Sequence, residues 1–399
     1  MPRFDACLNI DELRRVARRR LPRGLFEYID RGTEDEASLR ALRRSFEDVP
    51  LVPRVLVDTS GRTLRTPLFG VERPLPFVVA PTAAAGLVRH DGEVLLAQAA
   101  KAAGVPFCVS TQSITSVEAI AASGAELWFQ LYVWRDRTLT HDLLERVARA
   151  GVGTLILTVD TAVSPKREYN QRNGFGVPIT PSLRGGLDVA SHPVWLWTVL
   201  LRYLRTGGWP GYAHYPAEFH TRITDAAASD RVKLCDRVDW SDVAELRRRW
   251  SGRIILKGIL SLADARRAAE AGMDGIVVSN HGGRNLDAAP APLSVLPRIA
   301  GEVGHRLTVL ADSGVRRGSD AAKLLAAGAA GVLLGRSMLY GLAAGGPAGA
   351  EHALALLGDE LSRTMALLGC RSVADLRACR FGAVEAAGEP AVRPLTPVN

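Results

Sequence analysis

The sequence predicts an α/β protein built on a closed (β/α)8 barrel, also called a TIM barrel. Three observations predict it. A sequence pattern made of an Ala- and Leu-rich predicted helix, an Ala-Gly pair and a short apolar run recurs four times along the chain. Four further apolar runs of similar length lie between these repeats, which gives eight predicted strands. The GxGxxG motif that a doubly wound dinucleotide-binding sheet needs after its first strand is absent.

The recurring sequence pattern covers residues 100–111, 148–160, 269–280 and 325–336. Its glycine suits a helix C-cap, because glycine enters the left-handed backbone conformation without steric cost. The apolar runs that follow are too short to be helices and do not alternate between apolar and polar residues. That pattern is typical of parallel strands buried on both faces. Each occurrence of the pattern therefore predicts the end of one helix and the strand that comes after it.

The four remaining strands are predicted at residues 76–82, 126–132, 253–258 and 306–314. Helical spacers separate the strands, as in a chain of βα units with a parallel sheet. A doubly wound sheet usually has fewer than eight strands, which favours the closed barrel. In such barrels the chemistry gathers at the carboxyl ends of the strands.

The chain has parts outside the eight βα units. Residues 1–65 are predicted to form an N-terminal helical segment. Its predicted helices are 11–22, 24–32 and 34–46. The barrel is expected over 66–380, with an insertion over 168–238 after the fourth strand that is too long for an ordinary βα loop. An amphipathic helix is predicted over 351–368, and a Pro-rich tail follows over 381–399.

The composition is that of an ordinary globular protein. The chain has 399 residues, of which 47% are hydrophobic and 23% charged, and a formal net charge of +8. Arginines interleaved with acidic residues favour a solvated surface over a nucleic-acid partner. The five cysteines are scattered and form no CxxC pair, so no metal is expected. No apolar run could span a bilayer and the charged start lacks signal-peptide character, so a cytoplasmic location is expected.

Two clusters of polar residues stand out at the predicted carboxyl ends of the strands. In SNHGGRNLD, residues 279–287, His281 and Arg284 lie three apart on a glycine-rich turn. The pair offers a base and a fixed cation, and the bare glycine backbone is expected to let a ligand approach closely. ADSGVRRG and LLGR follow strands seven and eight, where barrels commonly bind phosphate. Arg316 and Arg336 are the predicted phosphate partners.

These motifs resemble those of the FMN-dependent 2-hydroxy-acid oxidoreductases, which include glycolate oxidase, lactate oxidase, flavocytochrome lactate dehydrogenase and bacterial mandelate dehydrogenase. The likeness runs from about Leu21 to Gly369, and SNHGGR with Asp287 is its most specific part, supported by DSGVRRG, LLGR, FQLY and LTVD. Residues 21–36 and 333–344 are most similar to the corresponding segments of mandelate dehydrogenase and the membrane-associated lactate dehydrogenases. The resemblance implies a dehydrogenase or oxidase that converts an (S)-2-hydroxy acid to the 2-oxo acid, with FMN as the two-electron acceptor.

The resemblance also implies a role for each matching residue. His281 is the base that takes a proton from the substrate, Asp160 hydrogen-bonds its imidazole, and Tyr132 contacts the substrate hydroxyl. The expected substrate-binding residues are Arg284, Arg167, Tyr28 and Gln112. The expected cofactor-binding residues are Thr82, Ala83, Ser110, Gln130, Thr158, Lys257, Ser279, Asp312, Gly314, Arg316, Gly335 and Arg336. Lys257 in particular is expected near flavin N1 and O2, where its charge stabilises the reduced ring.

Three positions depart from the family pattern or leave the activity open. Asn285 stands where the family usually has glutamine, directly behind the expected catalytic pair. Gln112 stands where relatives often have an aromatic or a small residue, and it could meet a polar or substituted substrate tail. Ala83 does not decide between oxidase and dehydrogenase. A second hypothesis keeps the flavin but takes an amine or a peptide-derived substrate; Arg284 argues against it, because relatives of that kind tend to lose this arginine.

Residues 193–210 of the insertion are apolar and aromatic, with Arg202 and Arg205 among them. Two interpretations are left open. One is an interfacial segment on a membrane surface, as in the resembling membrane-associated dehydrogenases; the other is a lid helix packed on the barrel or on another subunit. The expected partners are the hydroxy acid and an electron acceptor, either oxygen or a membrane quinone. By analogy with the family we expect a homotetramer, in the cytoplasm or at the inner face of the cell membrane.

Overall fold

The computed structural model describes residues 3–176, 179–180, 182–219, 222–225, 229–379, 381–382 and 392–393. Over these residues the chain forms a closed barrel of eight parallel strands, arranged in the order in which they occur in the sequence. The strands are β1 Phe77–Val79, β2 Phe107–Ser110, β3 Leu127–Leu131, β4 Thr154–Thr158, β5 Arg253–Ile259, β6 Gly275–Val278, β7 Thr308–Ala311 and β8 Gly331–Leu334. The barrel closes where Val332 of β8 pairs with Phe77 of β1. The predicted fold class and all eight predicted strands are confirmed.

The four Ala-Gly pairs end helices as the sequence predicts. Gly104, Gly151, Gly272 and Gly328 have φ angles of 67°, 82°, 70° and 106°. They stand immediately before β2, β4, β6 and β8 in the chain. Because a residue with a Cβ is strained in this conformation, these glycines fix the point at which each helix turns back toward the sheet.

The inside of the barrel is filled by apolar side chains, and every strand contributes to it. The buried cluster consists of Leu68, Val78, Ala80, Cys108, Trp128, Ile156, Ile255, Val277, Leu310 and Leu333. A hairpin of Thr66–Leu68 paired with Val71–Arg73 carries Leu68 into this cluster. Phe69 at its turn packs edge-on against Trp128, with 5.7 Å between the ring centroids. The hairpin thus covers the amino-terminal end of the barrel, and the carboxyl end remains for a ligand.

Helices surround the barrel and cover its carboxyl end. They are α1 Ile10–Arg20, α2 Arg23–Asp30, α3 Ala37–Glu47, α4 Ala85–Val88, α5 Gly92–Ala102, α6 Val117–Ala121, α7 Arg137–Arg149, α8 Glu168–Asn173, α9 Leu183–Ala190, α10 Pro193–Trp195, α11 Leu201–Thr206, α12 Trp240–Arg249, α13 Leu262–Glu270, α14 Pro292–Val303, α15 Gly318–Ala326 and α16 Arg336–Leu367. Short 3-10 turns lie at Phe4–Ala6, Ala217–Phe219, Asp230–Val232 and Ala374–Ala378. The three helices predicted before the barrel are therefore present as α1 to α3.

The last helix is longer than the sequence predicts. Helix α16 begins at Arg336, directly after β8, and its backbone breaks at Gly346, where φ is 64° and ψ is −142°. Pro347 follows the break, and the predicted helix over 351–368 belongs to the second half. The predicted Pro-rich tail lies outside the described residues except for 381–382 and the backbone of 392–393. The division of the chain into domains stays a prediction.

The predicted apolar segment of the insertion is one continuous helix with two different faces. Helix α10 continues through the π-helical residues Leu196–Leu200 into α11, and we call residues 193–206 the insertion helix. Its inner face is buried on the barrel side: the indole Nε1 of Trp195 donates a hydrogen bond to the carbonyl of Leu87, 2.7 Å away. Trp197, on the outer face, is 57% exposed.

Candidate active site

A cavity of about 1030 Å3 opens at the carboxyl ends of the barrel strands. The predicted site residues that line it are Tyr28, Thr82, Ala83, Ser110, Gln112, Gln130, Tyr132, Thr158, Arg167, Lys257, His281, Arg284, Asp312, Gly314, Arg316, Gly335 and Arg336. The other two, Asp160 and Ser279, do not line the cavity but hydrogen-bond His281, which does. The fold therefore gathers the residues that the sequence marked into one place.

The centre of the site is an imidazole paired with a carboxylate. Nδ1 of His281 lies 2.9 Å from Oδ1 of Asp160, which follows β4. The backbone N–H of His281 donates to the hydroxyl of Ser279 at 3.0 Å, and His281 has a φ of 58°. A left-handed non-glycine residue is strained, so the surroundings must hold it there. With Nδ1–H donated to the carboxylate, the neutral ring carries its free lone pair on Nε2.

The protonation states of this pair suit a general base. Burial lowers the pKa of His281 below 6.5; attraction to Asp160 opposes this effect, while repulsion from Lys257 adds to it. Burial would raise the pKa of Asp160, but the charges and hydrogen bonds of its neighbours, His281 first, hold it at about 2. At neutral pH a neutral imidazole therefore stands beside an ionised carboxylate. Such a pair accepts a proton readily, because the carboxylate stabilises the imidazolium that forms.

The glycines of the HGGR turn have close protein neighbours. Gly282 also lines the cavity, and the close approach of a ligand at this turn stays a prediction. A Cβ on Gly282 would lie 2.7 Å from Nη1 of Arg336, and a Cβ on Gly283 would lie 2.8 Å from the backbone nitrogen of Leu39. The turn is therefore bare because Arg336 and helix α3 pack directly against it.

Arg284 extends from this turn to the C-terminal end of α2. Its Nη1 donates to the backbone carbonyls of Tyr28, Arg31 and Ile29 at 2.7, 3.2 and 3.3 Å. Within the described part of the chain these bonds use Nη1 alone, so Nε and Nη2 are left for an anion in the cavity. Burial and the neighbouring cations Arg167 and Arg336 lower the pKa of Arg284. A guanidinium nevertheless stays charged at neutral pH.

A second arginine, Arg167, lies beside Arg284 and has one donor without a hydrogen bond to the described residues. Nε of Arg167 is buried and makes no hydrogen bond to any described residue. The guanidinium carbons of Arg167 and Arg284 lie 5.7 and 5.2 Å from the ring centre of Tyr28. Two cations that share one aromatic ring, one of them with an unsatisfied donor, form an arrangement that an anionic ligand would stabilise.

A buried ammonium group lies deeper in the cavity. Nζ of Lys257 is 3.2 Å from Oδ2 of Asp312 and donates to the Ser279 hydroxyl at 3.0 Å. Burial tends to lower the pKa of Lys257, but the carboxylates of Asp312 and Asp160 outweigh it and raise that pKa. The side chain is therefore charged and has a third N–H for a ligand.

Gln130 offers a neutral donor to the same cavity. Its Oε1 accepts hydrogen bonds from the hydroxyl of Ser110 at 3.1 Å and from the backbone N–H of Thr111 at 3.4 Å. Its Nε2 is buried, with no partner among the residues that the structure describes. An amide donor left in this state costs free energy unless a bound molecule accepts from it.

The far end of the cavity is cationic. Nε and Nη1 of Arg336 donate to the carbonyls of Ile29 and Gly282 at 2.9 and 2.8 Å. The guanidinium of Arg316 lies 5.1 Å from the ring centre of Tyr340. Both arginines line the cavity, as expected for a phosphate end.

Three residues behind this end were missed by the sequence analysis. Both oxygens of the Asp30 carboxylate accept hydrogen bonds from Arg14, each at 2.6 Å. The hydroxyl of Tyr340 donates to Asp30 at 2.7 Å. The chain separation between Asp30 and Tyr340 is 310 residues, so no motif could have joined them.

Asp287 also has a structural role that its motif did not reveal. Its two carboxylate oxygens accept from the backbone N–H groups of Ser38 and Ala37 at 2.9 and 3.0 Å. These are the first residues of α3, whose own N-cap residue, Glu36, makes no side-chain hydrogen bond to the helix. The loop after β6 therefore caps a helix of the N-terminal segment, at the end where a negative charge is favourable.

The insertion adds cavity residues that no sequence pattern indicated. Tyr212 and Leu234 line the cavity together with Gln112. The segment around Tyr212 is held to the loop after β2, since the backbone N–H of Ala213 donates to the carbonyl of Ser113 at 3.0 Å. Part of the insertion is thus a wall of the site.

The cavity fits a flavin mononucleotide. Its unsatisfied Gln130 donor and charged Lys257 match the polar edge of an isoalloxazine ring, and its cationic end with Arg316 and Arg336 matches a phosphate. A barrel that joins these features to a base near two buried arginines is of the flavoenzyme class.

Comparison with known proteins gives the family. The family model described as FMN-dependent dehydrogenase matches residues 17–381. The putative L-lactate dehydrogenase of Mycobacterium tuberculosis is 39% identical over 380 residues, covering 94% of this chain and 89% of that protein. The L-lactate dehydrogenase of Caulobacter vibrioides is 41% identical over 372 residues, covering 92% and 95%. The chain belongs to the FMN-dependent dehydrogenase family; it is an oxidoreductase with FMN as its cofactor.

Solved structures agree with this assignment. The crystal structure of the monotopic membrane protein (S)-mandelate dehydrogenase superimposes with a TM-score of 0.86 at 37% identity, covering 93% of this chain and 98% of that one. A crystal structure of mandelate oxidase superimposes with a TM-score of 0.80 at 35% identity, covering 94% and 98%. The resemblance stated from the sequence is confirmed.

Proposed function

We propose that the protein oxidises an (S)-2-hydroxy acid to the corresponding 2-oxo acid, with His281 as the base. The observation that carries the proposal is the hydrogen bond between His281 and Asp160, 2.9 Å long, beside the same cavity as the spare donors of Arg284 and Arg167. The relatives named above support the substrate class, since they are lactate dehydrogenases, a mandelate dehydrogenase and a mandelate oxidase.

Oxidation of the hydroxy acid removes two electrons and two protons from the substrate. Nε2 of His281 takes one proton, and Asp160 stabilises the resulting imidazolium. Burial raises the pKa of Tyr132, and the charge of Asp160 adds to that rise, so the phenol stays protonated and donates to the substrate hydroxyl oxygen. FMN, when bound, would accept both electrons and the second proton, a role that protein side chains cannot fill.

The substrate carboxylate is assigned to the pair of arginines. Arg284 and Arg167 neutralise it, and Tyr28 donates a further hydrogen bond. The carbonyls of α2 that hold Nη1 of Arg284 keep this guanidinium in place before the substrate arrives. Preorganised charge of this kind is worth more than mobile charge, because it needs no reorganisation during the reaction. Gln112 is assigned to the substrate side chain.

The cofactor is assigned to the remaining lining residues. Lys257 would supply a positive charge beside the flavin ring, and Asp312 would hold the ribityl chain. The residues assigned to the polar edge of the ring and to its substrate side are Ser110, Gln130, Thr158, Ser279, Thr82 and Ala83. The residues assigned to the phosphate are Gly314, Arg316, Gly335 and Arg336.

Anaerobic flavin reduction tests the proposal. The purified holoenzyme is mixed with a panel of (S)- and (R)-2-hydroxy acids in the absence of oxygen, and the loss of flavin absorbance is followed. The (S)-enantiomer of at least one aliphatic or aromatic acid is expected to bleach the flavin within seconds, while its mirror image does not. A holoenzyme that no member of the panel bleaches would contradict the proposal.

We also propose that the outer face of the insertion contacts a membrane surface. Val194 and Trp197 are 65% and 57% exposed, and Leu183 on the neighbouring helix α9 is 82% exposed. Arg202 and Arg205 flank this apolar face, a combination that suits the interface of an anionic bilayer. Among the described residues no helix is long and apolar enough to cross a membrane. The name of the mandelate dehydrogenase, a monotopic membrane protein, supports the surface contact.

A membrane quinone is the electron acceptor that goes with this location. The reduced enzyme is expected to be reoxidised faster by a water-soluble quinone than by dissolved oxygen in a stopped-flow comparison; the reverse order would make the protein an oxidase.

Light scattering of the detergent-free protein is expected to give the mass of a tetramer, as in the resembling family.

A further inference from the structure

Asn285, the residue that departs from the family pattern, donates hydrogen bonds from its side-chain amide to residues 160 and 161. Its Nδ2 donates to the backbone carbonyl of Asp160 at 2.9 Å and to the hydroxyl of Thr161 at 2.8 Å. The same nitrogen lies 3.3 Å from Oδ1 of Asp160. Its Oδ1 is buried and makes no hydrogen bond to the described residues. Among the described residues, the polar contacts of this side chain therefore go to residues 160 and 161.

The two oxygens of the Asp160 carboxylate are in very different surroundings. Oδ1 accepts from Nδ1 of His281 at 2.9 Å, from the hydroxyl of Thr161 at 3.1 Å and from Asn285 at 3.3 Å. Oδ2 is buried without a hydrogen-bond partner in the described part of the chain. Three donors on one oxygen hold the carboxylate at a single rotation, with that oxygen toward the imidazole.

The backbone beneath Asp160 leaves it little room. A Cβ on Gly258 would lie 2.5 Å from Cβ of Asp160, and Gly258 has a φ of 107°. The carboxylate is thus packed on a bare glycine on one side and held by Asn285 and Thr161 on the other. Asn285 lies 125 residues from Asp160 in sequence, so this placement is a product of the fold.

We propose that Asn285, acting with Thr161, is the positioning residue that fixes the Asp160 carboxylate toward His281 and sets the strength of this base. The inference rests on the proposed function, because it concerns the base of that reaction. Asn285 acts on the base through Asp160, because its side-chain hydrogen bonds within the described part of the chain go to residues 160 and 161 and not to His281.

The physical effect has a definite sign. Each donor on Oδ1 disperses the negative charge that Asp160 presents to His281. When Asn285 is removed, Nδ1 of His281 and the hydroxyl of Thr161 still hold Oδ1 in place, so more negative charge faces the imidazole. More negative charge favours the imidazolium and raises the pKa of His281. The other charged groups that face His281 are Lys257 and Arg284, which both lower its pKa, and neither is hydrogen-bonded to Asn285. The change should therefore appear as a shift of one limb of the pH profile.

The test is the pH dependence of kcat/KM of the holoenzyme for Asn285→Leu, with Asn285→Gln as the matched control that keeps an amide. The limb at acidic pH reports the protonation of the base in the free enzyme. For Asn285→Leu this limb is expected to move to higher pH by roughly 0.5–1 unit. That is less than the full effect of one hydrogen bond to a charged group, because Asn285 acts on His281 through Asp160. The glutamine variant is expected to return the limb toward the wild-type position.

A second variant keeps the test valid if Asn285→Leu does not fold. Thr161→Val removes the hydroxyl that links Asn285 to the carboxylate while keeping the shape of the side chain, and it is expected to shift the limb in the same direction. Unchanged limbs in both variants, with the wild-type enzyme active, would overturn the inference. If the wild-type enzyme oxidised no hydroxy acid, the proposed function would fail, and an NMR titration of His281 in the same variants would still decide the inference.

Discussion

Two additions to the barrel cover its carboxyl end, and they are attached in different ways. Helices α2 and α3 are bound by hydrogen bonds to the loop after β6, which we call the catalytic loop because it carries the proposed base. Arg284 donates to the carbonyl of Tyr28, and Asp287 caps α3. The backbone N–H of Thr33 donates to the carbonyl of Gly283 at 3.1 Å. The insertion helix is held chiefly by aromatic packing. Its outer face is left exposed.

The difference shows how each addition serves the site. Hydrogen bonds fix angles and distances, so α2 and α3 can hold an arginine and a histidine in a set geometry. Apolar packing depends on buried area and is less directional, so Trp195 and Tyr203 hold the insertion helix in place without shaping the catalytic loop. The ring of Tyr203 lies 4.3 Å from that of His90, and Trp195 is buried. One addition positions chemistry, and the other presents a surface.

The largest effect is expected inside the loop that α2 and α3 hold. His281→Gln removes the base but keeps a polar side chain of similar size, so flavin reduction by the substrate is expected to fall by roughly 10³- to 10⁴-fold. The absorbance spectrum of the purified variant should still be that of bound FMN. Reduction at the wild-type rate would show that another residue is the base.

The two tryptophans of the insertion helix should separate packing from surface contact. Trp195→Ala is expected to lower the free energy of unfolding by about 3 kcal/mol, since it removes a buried indole and its hydrogen bond. Trp197→Ala should change that free energy by less than about 0.5 kcal/mol. Urea unfolding measures both values.

Vesicle flotation should give the opposite order for the same pair. Trp197→Ala is expected to weaken binding to anionic vesicles several-fold, because the exposed indole is the side chain that enters the interface. Trp195→Ala should bind almost as well as the wild type at a temperature where it is folded. Equal binding by all three proteins would assign the exposed face to another partner.

Cutting one polar link of the N-terminal segment should affect both stability and activity. Asp287→Ala leaves two N–H groups of α3 without their cap, so the free energy of unfolding is expected to fall by about 1–2 kcal/mol. The value of kcat/KM is expected to fall as well, since the same loop carries His281 and Arg284. The exposed Asp359, which pairs with Arg363, provides the control; Asp359→Ala should change neither quantity appreciably. A loss of stability with kcat/KM intact would show that the link does not position the loop.

The smallest expected effect is the position of the acidic limb in the wild-type enzyme. His281 must be neutral to accept a proton, and burial lowers its pKa, with repulsion from Lys257 adding to that effect. The value of kcat/KM should therefore stay high as pH falls through 6.5 and decline only below it. Lys257→Met removes the repulsive charge and is expected to move the limb upward. A limb above pH 7 in the wild-type enzyme would contradict the assigned surroundings of the base.

The sequence alone determined the barrel and the identity of most site residues. Strands buried on both faces appear in the sequence as unbroken apolar runs. Helix ends that need a left-handed residue appear as glycines, so Gly104 and Gly328 predicted the ends of two helices. A base and a cation on one turn, His281 and Arg284, marked the chemistry because both side chains must reach the same small volume. Each of these signals is local.

Only the tertiary structure decided how those residues are held. The carbonyls of α2 that bind Arg284, the N–H groups of α3 that bind Asp287, and the pairing of Asp30 with Tyr340 join parts of the chain that lie some 250 to 310 residues apart. Backbone groups are the same at every position and so leave no trace in the sequence. Which face of the insertion helix is covered was equally open, because Trp195 and Trp197 are the same residue type, two positions apart. Their different burial depends on the surface that the folded barrel offers to one of them.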